Sequence, residues 1–169
     1  MKHAYSLVMT TVAVVFSGVV AFAQSPALLN QHNDWAAYTH SGQKGKICYA
    51  LSKPTKMAPS DRNHGDVYFF VSTRPGENVR EEPSVIVGYP FKDGSNVIVD
   101  VDGKQFTLFT KGDGAWVENS ADEAQLVSAM KAGRSMTVSG QSKRGTQTNY
   151  TYSLSGITKA VREVAQACQ

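Results

Sequence analysis

The chain is short of the residues that usually carry chemistry. It has 2 cysteines, 4 histidines and 6 prolines in 169 residues. No His-x-x-x-His pair and no cysteine–histidine cluster occurs, so the ligand spacings of a zinc site are missing. Gly-x-Ser-x-Gly, the Walker loop and the dinucleotide fingerprint are all absent, which removes the commonest local signatures of serine hydrolases, nucleotide hydrolases and dehydrogenases. No cofactor is implied. Beyond residue 23 no apolar run is long enough to cross a bilayer. Charge of one sign is also scarce, with 17 Lys and Arg against 14 Asp and Glu. Such a small, evenly spread excess argues against nucleic acid as a partner.

What is present begins with an export signal. Lys2 and His3 precede the apolar run Leu7 to Val20, and Ala21-Phe22-Ala23 then supplies small residues at the first and third positions before a cut. Residues 1–23 are therefore expected to be a cleaved signal peptide. An uncleaved anchor is the alternative, since Leu7 to Ala23 just reaches spanning length. The short apolar core and well-formed Ala-x-Ala site favour cleavage. With no Cys near the site, lipid attachment is not expected. Cleavage removes Lys2 from the 17 basic residues and none of the 14 acidic ones, leaving a mature charge of +2.

The two cysteines, Cys48 and Cys168, remain in the mature chain. In an exported protein an even pair reads as a disulfide, with two separate buried thiols as the alternative. Closing a loop of about 120 residues is worth roughly 5 kcal/mol at most in the chain-entropy picture.

Periodicity points to strands. Residues 24–33 show no alternation and read as a flexible lead-in, ahead of a single domain over 34–169. "DWAAYTH" sets Trp35, Ala37 and Thr39 against Ala36, Tyr38 and His40, and "KICYALS" sets Ile47, Tyr49 and Leu51 against Cys48, Ala50 and Ser52. "DVYFFVS" is apolar on both parities, as in a central strand covered on both sides. "SVIVGY" reads as a strand with Gly88 as a bulge. Lys53–Gly65 and Thr73–Pro83 read as surface loops from their prolines, glycines and charges. Asp93-Gly94, Asp102-Gly103 and Asp113-Gly114 recur about ten residues apart, the spacing of an antiparallel meander with tight turns. Ser120 with Glu123 forms a capping box for a short helix after Trp116, and Ile157, Val161, Val164 and Cys168 form one stripe of a C-terminal helix. "SMTVSGQSKRGTQTNYTYSLSG" is a hairpin with Lys143 and Arg144 at its tip.

Several residues invite a functional reading. The Lys143-Arg144 tip suits an anion or a partner, although charges at a hairpin tip also keep a strand edge soluble. Asp100 and Asp102 hint at a calcium loop, but the twelfth position holds Lys111 rather than Glu. Among His32, His40 and His64, only His64 beside Asp66 suggests metal or acid–base work, and a loop-end histidine is the simpler account. Trp35, Trp116 and the tyrosines could form a sugar platform, yet in a small sandwich such residues usually fill the core. Asn149-Tyr150-Thr151 is a formal glycosylation sequon that matters only in a eukaryotic secretory route.

"ICYA", "VYFFVSTRP", "GYPF", "AWVENS", "MKAG", "SKRGTQTNYTYSLSG" and the terminal "AC" resemble the invasion-associated locus B family of exported bacterial proteins, with Arg144-Gly145-Thr146, Tyr152-Ser153-Leu154 and Gly156 the most specific part. The resemblance spans Asp34 to Cys168. It implies an all-β, immunoglobulin-like antiparallel β-sandwich with a helix after the Trp116 segment and one at the C terminus. It also implies a periplasmic or outer-envelope location in a Gram-negative bacterium and a link to host-cell invasion, with no catalytic residues to carry over. The expected activity is binding of a protein or of an envelope or host surface, through Lys53–Gly65, Thr73–Pro83 and the Lys143-Arg144 tip. A periplasmic stress or folding factor that binds exposed strands is the alternative, and a hydrolase using His64 is a third.

Overall fold

The computed structural model describes residues 25–169. The signal peptide expected over 1–23 lies outside these residues. Eleven strands form a single antiparallel ladder: β1 (Ala27–His32), β2 (Trp35–Gly42), β3 (Gly45–Ser52), β4 (Lys56–Ala58), β5 (Tyr68–Arg74), β6 (Val79–Ile86), β7 (Asn96–Val101), β8 (Lys104–Lys111), β9 (Gly114–Trp116), β10 (Ser135–Gln141) and β11 (Gln147–Ser153). Helix α1 (Ser120–Ala132) follows β9, and α2 (Ile157–Ala167) follows β11. The spatial order is β1-β2-β3-β5-β6-β9-β8-β7-β10-β11-β4.

This ladder folds over itself into the antiparallel sandwich expected from the sequence. Short β9 makes the corner, pairing with β6 at Ser84–Ile86 and with β8 at Phe109–Lys111. Across the two layers the Phe69 and Tyr152 rings meet at 5.8 Å, and Trp35 Nε1 donates to the Ser153 carbonyl at 3.0 Å. Helix α2 lies on β2 and β3, while α1 spans β6 and β8.

Side-chain size explains where α2 sits. β2 and β3 turn Ala37, Cys48 and Ala50 inward, all fully buried. Small residues there leave room for Ile157, Ala160, Val161 and Val164 of the helix. The larger Tyr38 and Tyr49 go to the outer face, where their rings stack at 5.4 Å. At the end of α2, Cys168 bonds to Cys48, with the two Cα atoms 5.9 Å apart.

Several local expectations need correction. The segment expected as a flexible lead-in is instead strand β1, paired with β2 from Ala27↔Thr39 to His32↔Trp35. A bulge between Leu28 and Asn30 shifts its register, and this destroys the alternation that would have announced it. Thr73–Pro83 is no open loop. A 3-10 turn at Pro75–Glu77 joins β5 directly to β6, and Arg74 and Glu82 pair across the hairpin at 2.8 Å. Strand β5 is covered on one side only: Phe69 and Val71 are buried, while Tyr68 and Phe70 stay half-buried beside Tyr49. The cap of α1 is Asn119 rather than Ser120, its Oδ1 accepting from the Asp122 amide at 2.9 Å. Asp102-Gly103 forms the expected two-residue turn, both residues at positive φ. Between β8 and β9 the turn comes one residue early, at Gly112-Asp113, because Gly114 must lie bare beneath the Trp116 ring.

The disulfide closes most of the domain, so its removal acts chiefly on the unfolded chain. Replacing both residues, Cys48→Ala with Cys168→Ala, is expected to lower the unfolding free energy by about 2–5 kcal/mol while leaving the strand signature intact. Urea denaturation followed by circular dichroism checks this. Unchanged stability would mean that the clasp contributes nothing.

Candidate functional site

At the end of the sandwich where β5 begins and β6 ends, three segments enclose a cleft of about 700 Å³. One is the loop Asp61–Gly65, another is Gly88–Pro90, and the third runs from Ser142 to Thr148 at the β10–β11 turn. Two other clefts are smaller, about 250 Å³ beside Lys44 and Gly76 and about 290 Å³ between α1 and β6.

Backbone packing sets the cleft's shape. Gly88 N donates to the His64 carbonyl at 3.2 Å. A Cβ on Gly88 would fall 2.5 Å from Gly65 Cα and 2.6 Å from the His64 oxygen, so only glycine permits the approach. That contact presses the loop onto the segment after β6 and turns His64 inward. On the far side, the tip is held rather than free. Lys143 N donates to the Pro90 carbonyl at 2.9 Å, and Gly145 N to the Ser142 carbonyl at 2.8 Å with Gly145 at positive φ.

The floor is a chain of hydrogen bonds. His64 Nε2 lies 2.9 Å from the Pro59 carbonyl, which can only accept, so Nε2 carries a proton. In the neutral ring Nδ1 then accepts from the Tyr150 hydroxyl, also at 2.9 Å. The Tyr150 oxygen meets the Tyr89 hydroxyl at 2.7 Å, and Tyr89 meets the Thr148 hydroxyl at 2.7 Å. Desolvation pushes the Tyr150 phenol far above its usual range, and the bond with Tyr89 adds to the rise. Tyr152, fully buried two residues further along β11, is raised by burial and then by Tyr89. Both phenols are neutral hydroxyls at any ordinary pH.

The rim is cationic. Lys143 Nζ lies 3.4 Å from Asp93 Oδ2, and Arg62 lies 3.8 Å from Asp61, all four side chains being well exposed. Such surface pairs are worth about 0–1 kcal/mol and part easily. Arg144 is exposed and makes no ion pair among the described residues.

The structure thus gathers two features that the sequence offered separately, His64 and the Lys143-Arg144 tip. His64 is not placed as a general base: both ring nitrogens are engaged, neither by a carboxylate, and Asp66 is exposed. The Cys48–Cys168 bond belongs to the other end of β5, where Cys48 pairs with Thr73. Trp35 is core, and Trp116 packs near Phe109 outside the cleft. Asp100 and Asp102 serve structure, accepting from the amides of Gly103 and Arg134 at 2.8 Å. His32 pairs with Glu163 of α2. Sequence reasoning missed Tyr89, Thr148 and Arg62. Nothing local to Tyr150 in the sequence reveals its hydroxyl partners, which come from distant segments.

Two buried phenols, Tyr150 in the floor and Tyr152 deeper along the same strand, make alkaline stability a probe of burial in this part of the sandwich. Below the unfolded phenol pKa near 10 their contribution is complete, and it is lost as pH rises because only the unfolded chain ionises. Each phenol should remove about 1.4 kcal/mol of stability per pH unit above roughly pH 10. Absorbance at the phenolate band is expected to show Tyr150 and Tyr152 ionising only as the fold is lost, with a shallower loss in Tyr152→Phe. Complete phenolate formation in the folded protein would refute the burial.

No curated protein matches the chain in sequence. The crystal structure of invasion associated protein b from Bartonella henselae shares its fold, with a TM-score of 0.56 and 14% identity over 82% of this chain and 96% of that one. The sequence model described as Invasion associated locus B (IalB) protein matches residues 35–165. With that match spanning most of the length, the chain belongs to the invasion-associated locus B family.

Proposed function

We propose that this is an exported bacterial envelope protein, periplasmic or held at the outer envelope of a Gram-negative cell, that acts by binding a protein or surface partner rather than by catalysis. The family name adds a role in host-cell invasion to this reading. The observation that carries it is the cleft between His64 and Arg144: its floor hydroxyls satisfy one another, while its rim offers guanidinium and ammonium groups to a partner. A hydrolase would need a base free to take a proton, and the His64 ring is committed to Pro59 and Tyr150. The signal read over 1–23 and the Cys48–Cys168 bond support an oxidising compartment. No helix among the described residues is long and apolar enough to cross a membrane.

A photo-crosslinking side chain in place of Pro90, on the cleft wall, is expected to capture a discrete partner in intact cells. The same group in place of Lys159, on the exposed face of α2, should not. Identical adducts from both positions would remove the cleft as the binding site.

One observation favours the strand-binding alternative. Strand β1 ends the ladder with Leu28 55% and Leu29 37% exposed and no charge before His32. The opposite edge is guarded: β4 has three residues, begins with Lys56 and runs into Pro59. On this reading β1 accepts an extended segment of an unfolded protein by strand addition. The protein should then suppress aggregation of reduced lysozyme, and Leu29→Lys should abolish the effect. Equal suppression by that variant would rule out β1 as the acceptor.

A further inference from the structure

We propose that the cleft takes an acidic sugar chain, with sulfate or carboxylate groups carried on a hydroxyl-rich body. This rests on the reading of the cleft as a binding site and names its ligand.

Charge gives the first constraint. Arg62 comes from the loop before β5, and Lys143 and Arg144 come from the β10–β11 turn. Cations on two separate walls suit a ligand bearing several anionic groups better than one small ion. The nearby carboxylates, Asp61 and Asp93, are themselves exposed and loosely paired, so they can move aside for a ligand anion at little cost. Arg144, without an ion pair among the described residues, is the cation most ready to form a two-pronged bond with sulfate or carboxylate.

The lining gives the second constraint. His64, Tyr89, Ser142, Thr146 and Thr148 line the cleft, and no Leu, Ile, Val, Met or Phe does so. His64, Ser142 and Thr148 are buried and bonded within the protein, but Asn63, Tyr89 and Thr146 also line the cleft and are not buried, and an apolar peptide side chain entering here would strip water from such groups without replacing it. A sugar ring brings hydroxyls that can donate and accept, and the half-buried Tyr89 supplies the one aromatic phenol. Gly65 and Gly88 contribute no side chains to the wall. The volume, about 700 Å³, falls within the usual range for small-ligand sites, roughly 300–1,000 Å³. That is room for a short stretch of an oligosaccharide.

Amide chemical shifts and calorimetry test the assignment with five probes: a heparin tetrasaccharide, a tetrasaccharide of galacturonate, maltotetraose, inorganic sulfate and a hexapeptide of glutamate. The first two separate sulfate from carboxylate as the anion source. Binding by one or both is expected to shift Gly65, Tyr89 and Thr146. The triple variant Arg62→Ala, Lys143→Ala, Arg144→Ala should weaken it at least tenfold with the melting temperature unchanged, and maltotetraose should not bind. Tyr89→Phe should weaken oligosaccharide binding more than glutamate binding.

Tighter binding of the glutamate peptide would overturn the sugar assignment in favour of an acidic protein segment. Inorganic sulfate matching the tetrasaccharides in affinity would reduce the cleft to a simple anion site. No shift with any probe would overturn the inference outright. If position 90 still captures a partner in cells after that result, only the ligand class falls. If it captures nothing, the binding reading falls as well.

Discussion

The seam between β11 and the opposite layer governs the rest of the molecule. Tyr152 reaches across to Phe69, and the Trp35 indole holds the Ser153 carbonyl. Strand periodicity then leaves no choice for Tyr150: two residues back, it must point into the same interior. At that point the sandwich is ending, so the ring is buried while its hydroxyl arrives at the boundary with solvent-facing loops. A buried hydroxyl without a partner costs about 1–3 kcal/mol. His64 and Tyr89 supply the partners, and both come from connections outside the strands. The polar cluster at this end of the fold meets that need for Tyr150, whereas the equally buried hydroxyl of Tyr152 has no hydrogen-bond partner among the described residues.

The opposite end is closed by different means. Register along β5 separates the two: Cys48 stands across from Thr73, whereas Gly65 and Gly88 flank the Tyr68↔Ile86 pair. At the Cys48 end, α2 lies on small side chains and is clasped by the disulfide. Lys46 reinforces the closure by donating to the Ala167 carbonyl at 2.6 Å. At the cleft end no helix among the described residues covers the edge of the layers, and the segments are joined by the Gly65–Gly88 contact, by backbone bonds such as Lys143 N to the Pro90 carbonyl, and by a chain of side-chain hydrogen bonds. One end of the sandwich is cross-linked, and the other is an open cleft walled by connecting segments.

Much of the scaffold was legible because local chemistry and global packing agree. Ile157, Val161, Val164 and Cys168 form a helical stripe, and that stripe is what meets the sheet. Asp102-Gly103 is a turn because both residues tolerate positive φ. Legibility failed where one residue decides the outcome. The bulge at Leu29 breaks the period of β1, and Asn119 and Ser120 are adjacent, equally competent caps. It failed again in Thr73–Pro83, where proline, glycine and charge imitate a loop although Arg74 and Glu82 pair across strands. The cleft was half legible. Lys143 and Arg144 stood out as a basic tip, but nothing local to either Gly65 or Gly88 encodes their contact. Three segments from distant parts of the chain build this site, and no spacing in the sequence joins them.

The arrangement of the floor also limits what the site can do. His64, Tyr150, Tyr89 and Thr148 spend their hydrogen bonds largely on one another and on the Pro59 carbonyl. A network satisfied in this way is stiff, and breaking any link leaves a desolvated polar group behind. It therefore serves better as a fixed surface than as a source or sink of protons. The exposed, hydrated groups are on the rim, where Arg62 and Lys143 give up little on leaving their present neighbours and Arg144 has no ion pair among the described residues. On the proposed binding reading the two divide the work: the rim would attract and orient a charged partner, and the floor would decide by shape and polarity what fits beneath it.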